Sequence, residues 1–168
     1  MKIKTWHIIG TVFTVVAGSL LHFIYEWSGF YPLFALIGSV NESVWEHLKL
    51  LYWPFVMMLI AELWIYGKNV SGFFASKALG ILAGMAFITA VFYTYSGIVG
   101  QSFVIVDILL FVAGAAIAFS TSYKYIKCSF KNPKRADLAG MTLFLVLAVM
   151  FCMYTFNPPQ LGIFCFAN

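Results

Sequence analysis

The chain has 168 residues, of which 62% are hydrophobic, 19% aromatic and 10% charged, and it carries a net charge of +4. Soluble domains are roughly 45–50% apolar and about 25% charged, and a mean hydropathy of +0.93 describes more apolar surface than a globule of this size can hide from water. That excludes a soluble enzyme, a disordered tail and a nucleic-acid reader, and it makes lipid the solvent.

Crossing the hydrocarbon core takes about 20 apolar residues as a helix. Five segments meet that requirement, at about 6–25, 44–66, 77–96, 102–122 and 138–156. They predict an all-α membrane helix bundle in one domain, 1–168. The first follows Lys2 and Lys4 like a signal peptide. No small-residue cleavage site follows, and His22, Tyr25, Glu26 and Trp27 suit cleavage poorly, so the segment reads as a retained span. Thr11, Val15, Gly18, His22 and Glu26 recur at steps of three and four and share a helix face. That stripe is small and polar, as an interior face should be. Residues 30–37 are apolar but too short to span, and predict an interfacial segment or a lid.

The second span opens on the densest polar run, Ser39-Val40-Asn41-Glu42-Ser43-Val44-Trp45-Glu46-His47-Leu48-Lys49. Ser39 or Asn41 is the expected helix cap, with Glu42 favoured by the dipole in the first turn. Glu46 and Lys49 stand three apart, as an intrahelical ion pair requires. His47 is turned about 100° from Glu46 and can meet another helix. Trp45, Tyr52 and Trp53 are interface anchors or core filler. Pro54 frees the Leu50 carbonyl and predicts a kink. Asn41-Glu42-Ser43 also spells a glycosylation sequon, a three-residue pattern of low specificity.

The third span carries Gly80 and Gly84 at the spacing of close helix contact, with Tyr93 and Tyr95 near its end. The fourth holds Asp107 one to two turns in, on a face with Phe111, Gly114 and Ala118. The fifth is followed by Asn157 and a short apolar tail, 158–166.

Nine basic residues fall in alternate connections: Lys2, Lys4, Lys68, Lys77, Lys124, Lys127, Lys131, Lys134 and Arg135. Lys49 stands apart. That asymmetry predicts a multi-pass protein of the cell (cytoplasmic) membrane with its N-terminus inside and C-terminus outside. Cys128, Cys152 and Cys165 then lie at three depths, and no disulfide is expected. The inner half offers only His7 and Glu62 as ionisable groups.

Ionisable groups within membranes are costly and tend to be functional. Here they gather at the outer level, and three readings compete. In the first, His22, Glu26, His47 and Asp107 hold zinc, iron or manganese. Glu46 is then the general base, with Glu42 and Lys49 completing the catalytic set. Asn41, Trp45, Tyr93 and Tyr95 contact the substrate. This describes a metal-assisted hydrolase or transferase acting on a lipid-like or small amphiphilic molecule. In the second, the cluster titrates, as in a small transporter component or proton-coupled carrier subunit, which also needs a polar route from the other side. In the third, the cluster is a buried network that fixes helix register in a structural protein. That protein would pair with a homo-oligomer or a membrane partner subunit. Convergence of His22, Glu46 and Asp107 separates the first reading from the third, and a polar route separates the second from both.

The runs 21–27 and 40–50, with Thr155-Phe156-Asn157-Pro158-Pro159, resemble a bacterial family of small five-span integral membrane proteins of unknown function. The most specific part is N-E-S-x-W-E-H-x-K. The resemblance covers most of the chain, implies a five-helix membrane protein and implies no reaction. The family pattern has an acidic residue and further polar residues after the Phe164 region, where this chain ends at Asn168.

Overall fold

In the computed structural model, which describes residues 2–165, six α-helices follow in order. They are α1 (Ile3–Trp27), α2 (Pro32–Ala35), α3 (Val44–Ile65), α4 (Phe73–Val99), α5 (Val104–Tyr125) and α6 (Pro133–Phe156). Short 3-10 turns occupy Gly67–Asn69 and Gly162–Phe164. Among the described residues there is no strand. All but the four-residue α2 are long and apolar enough to cross a membrane. The long helices alternate in direction. One end of the bundle gathers the end of α1 and the start of α3, and is called upper here; the other is lower.

Several helices exceed their predicted spans because polar residues cap them beyond the apolar core. α4 begins four residues early, at Phe73. There the Asp137 carboxylate of α6 accepts from the backbone N–H of Gly72 (3.0 Å) and Ala75 (3.1 Å). A carboxylate at a helix N-terminus satisfies orphan donors and suits the dipole. α6 begins at Pro133, whose missing N–H costs nothing at a first helical position. The cap of α3 is Ser43, whose hydroxyl accepts from the Glu46 N–H. This corrects the expectation of Ser39 or Asn41, and it leaves Glu42 outside the helix.

Packing follows the small residues. Lipid tails are as apolar as core side chains, so close van der Waals fit holds membrane helices together. Gly80 and Gly84 of α4 face Ser122, Ala118 and Gly114 of α5, and α4 with α5 is the most extensive pair. On α1 the buried face is His7, Gly10, Thr14 and Gly18. Ile8, Val12, Val16 and Leu20 form the opposite, exposed stripe. α3 runs unbroken through Pro54. The Leu50 carbonyl, one turn before the proline, abuts Gly18, where an added Cβ would stand 2.6 Å from its oxygen. Core residues Leu51, Phe55, Ile81 and Phe119 fill the centre. The Tyr52 hydroxyl donates to the Phe144 carbonyl at 2.6 Å and ties α3 to α6.

The segment at 30–37 forms α2 and its flanks at the upper end, fastened by the Trp53 indole N–H donating to the Leu36 carbonyl at 2.9 Å. Before it, Gly29 and Phe30 both adopt left-handed backbone, φ 70° and 63°. For phenylalanine that conformation costs on the order of 1–2 kcal/mol. The tail turn Gly162–Phe164 packs Phe164 on Trp45 and Tyr154. Residues 166–168, where the predicted apolar tail ends, lie outside the described residues. The three cysteines are free.

Candidate functional site

At the upper end three side chains from two helices and a loop converge. His22 Nε2 lies 3.6 Å from one Glu42 oxygen, and His47 Nε2 lies 3.4 Å from the other. One ligand atom from each of the three falls within 4.8 Å of the rest. The imidazole rings are 5.3 Å apart. Glu42 reaches both because it sits before the Ser43 cap, where its backbone is free of helical geometry. His47 hydrogen-bonds through Nδ1 to the Ser43 carbonyl at 2.9 Å. A carbonyl only accepts, so Nδ1 carries a proton, and Nε2 is the ring nitrogen left facing Glu42 and available as a ligand atom in the neutral ring. His22 Nδ1 is buried without a protein partner.

Around a tetrahedral ion with bonds of about 2.1 Å, neighbouring ligand atoms stand roughly 3.4 Å apart. Each imidazole is already at about that distance from a Glu42 oxygen, but from a different one, so the carboxylate must turn to present one atom to both. Glu42 is 66% exposed, so its carboxylate can adjust. Two imidazoles and one carboxylate suit zinc, iron or manganese and leave coordination positions open.

The other expected site residues fall elsewhere. Glu26 is exposed on the rim of an adjoining cavity and stays outside the trio. Asp107 accepts from the Tyr95 hydroxyl, which also accepts from the Phe103 N–H at 3.2 Å. Both groups therefore close the α4–α5 connection, and Tyr93 is exposed beside it. Glu46 is 2% exposed and Lys49 0%. Lys49 Nζ spends its three donors on Glu46 (2.6 Å), the Ala35 carbonyl (2.8 Å) and Thr155 Oγ1 (2.8 Å). Glu46 also accepts from the Val40 N–H at 2.9 Å. The expected ion pair is present, but it is locked between α3, α6 and the 35–40 segment. It has no free donor for a substrate and no exposed carboxylate for proton transfer. Asn41 accepts from the Ser43 N–H at 2.9 Å and lines the cavity. Trp45 is buried against Phe151, Tyr154 and Phe164.

A second ionic cluster lies near the lower end. Glu62 of α3 and Lys77 of α4 form an ion pair with both side chains fully buried. Lys77 Nζ also lies 3.4 Å from His7 Nε2 of α1, and Ser122 Oγ of α5 lies 3.3 Å from that nitrogen. His7 Nδ1 bonds the Ile3 carbonyl at 3.0 Å, so Nδ1 carries the proton and Nε2 accepts. Lys77 is therefore not a loop cation as the sequence suggested: α4 starts before it and turns it into the bundle. The lower half is richer in ionisable groups than the sequence suggested, with Lys77 beside His7 and Glu62. The signal available was a lysine flanked by Ser76 and Ala78 and followed by the Gly80–Gly84 stripe, a small-residue context typical of a packed face.

Against known proteins, a family model described as a family of unknown function (DUF6512) matches residues 1–167. No curated protein and no solved structure matches the chain.

Proposed function

The chain belongs to that family of unknown function, which brings no reaction with it, and from the site geometry we propose a membrane-embedded, metal-dependent hydrolase or transferase. Its metal ligands are His22, Glu42 and His47. The observation that carries this reading is their convergence, with His47 held in the tautomer that presents Nε2. A divalent ion there supplies a polarised ester or phosphoryl oxygen and an acidified water. The protein's own part is to hold two neutral imidazoles and one carboxylate with positions left open. Glu42 thus takes the ligand role that the sequence suggested for Glu26 and Asp107.

An amphiphilic substrate is favoured by the surroundings. Phe23, Trp27 and Phe30 are exposed beside the site, where lipid would meet it. A carrier is disfavoured, because the apolar layer of Leu51, Phe55, Ile81 and Phe119 separates the two ionic clusters.

The test is metal analysis by mass spectrometry on detergent-purified protein. Wild type is expected to hold near-stoichiometric zinc, iron or manganese. His22→Ala and His47→Ala should each lower affinity by at least ~10-fold. Glu46→Gln should retain the metal. A wild type without metal after reconstitution, or metal retained in both histidine variants, overturns the reading.

A further inference from the structure

We propose that the cavity beside His22 is a subsite for an alkylammonium group, formed by Tyr25, Glu26 and Phe30, so that the substrate carries a cationic or zwitterionic headgroup. The proposal deepens the reading above and rests on it, since the cavity shares His22 and Glu42 with the proposed metal ligands. Its volume of about 190 Å³ is headgroup scale and too small for an acyl chain.

Charge decides the sign of the ligand. The cavity lining includes Glu26 and Glu42 and no lysine or arginine; with Glu42 committed to the metal ion, Glu26 is the carboxylate left for a ligand, and an anionic part of the ligand is drawn to the ion instead. Lys49, the one cation at the upper end among the described residues, is fully buried and fully bonded. An anionic group entering the cavity itself would find no lysine or arginine to pair with and would face Glu26. A cation would find Glu26.

The aromatic lining decides the kind of cation. Tyr25 and Phe30 meet edge to face, with centroids 5.4 Å apart and planes at 82°. Ring faces attract cations, and quaternary ammonium ligands are held by such walls. Phe30 is also the one described non-glycine residue with positive φ, and the residue is 62% exposed. Its N–H donates to the Tyr25 carbonyl at 3.0 Å, which folds residue 30 back over the end of α1. Backbone strain that gains no burial in return points to a function for the ring. Outside the cavity, Phe23 and Trp27 stack at 5.7 Å and offer an apolar track for chains.

The experiment measures binding to purified protein in maltoside micelles. The probes are short-chain phosphatidylcholine, short-chain phosphatidylglycerol and free phosphocholine. The choline lipid should bind at least ~10-fold tighter than the glycerol lipid, the scale of a desolvated cation–π and carboxylate contact. Glu26→Gln and Phe30→Gly should each remove most of that preference with metal content unchanged. Glycine takes positive φ without strain, so Phe30→Gly keeps the fold. Phosphocholine displacing the lipid identifies the headgroup alone as the ligand. Binding of the lipid alone shows that the chains contribute; either result supports the subsite. Equal affinity for the two lipids in metal-loaded wild type overturns it, as does a preference that survives both variants. A choline preference lost in both variants, in a protein that binds no metal, sinks the metal reading and leaves the subsite standing.

Discussion

Glu62 and Lys77 form an ion pair with both side chains fully buried. Removing one partner of such a pair strands a charge and costs about 3–5 kcal/mol, whereas replacing both by apolar groups of similar volume is often neutral or stabilising. Thermal unfolding in detergent should therefore show Glu62→Leu and Lys77→Met each strongly destabilised, and the double variant close to wild type. Single losses that add in the double variant would show that the pair is not coupled. Lys77→Met also removes the contact with His7 Nε2, but that loss is common to the single and the double variant, so the coupling term of the cycle isolates the ion pair. The same logic separates Glu46, in the first turn of α3, from Glu42, just before its cap. Glu46 is bonded to Lys49 and to the Val40 N–H and holds a loop in place. Glu42, four residues earlier, stands free of the helix and can serve a ligand.

At the level of elements, the upper site depends on how closely α1 approaches α3. Pro54 leaves the Leu50 carbonyl without its helical donor, and Gly18 lets α1 lie against that oxygen. An alanine there would put Cβ 2.6 Å from backbone oxygen and 2.5 Å from the Phe111 ring. The ring can turn, but the carbonyl cannot move without the helix. Gly18→Ala is therefore expected to cost about 1–3 kcal/mol as an overpacking change. Gly18 is one turn below His22, so the same substitution should widen the His22–His47 separation and weaken metal binding. Gly97→Ala, where an added Cβ meets nothing within 4 Å, is the matched control. Equal melting temperature and metal content in both variants would show that the α1–α3 approach does not set the site.

For the whole molecule, every exposed lysine and arginine among the described residues lies at the lower end: Lys2, Lys4, Lys68, Lys124, Lys127, Lys131, Lys134 and Arg135. Moving Lys77 into the core removes one cation from the loop charges and leaves the asymmetry intact, because Lys49 is buried as well. Positive loops stay in the cytoplasm, which would place the proposed metal site on the outer face. Two free, exposed cysteines at opposite ends test this directly, Cys128 at the lower and Cys165 at the upper. A membrane-impermeant maleimide added to intact cells should label the protein through Cys165 and not through Cys128, read out with Cys165→Ser and Cys128→Ser variants. The reverse pattern would invert the molecule and turn the site inward.

Sequence by itself determined the solvent, the five long helices, the Gly80–Gly84 contact face and the Glu46–Lys49 pair. These are local or periodic properties: apolar run length, a step of three or four, a proline one turn from a carbonyl. Each can be read along a single helix. The tertiary structure decided which charged groups meet. Glu62 and Lys77 sit on different helices across a turn, Asp137 caps α4 from 65 residues away, and Glu42 displaces Glu26 and Asp107 beside His22. Those pairings depend on the rotation and register of one helix against another. Rotation and register are fixed by packing of small residues over the whole bundle, which no single helix carries in its own pattern.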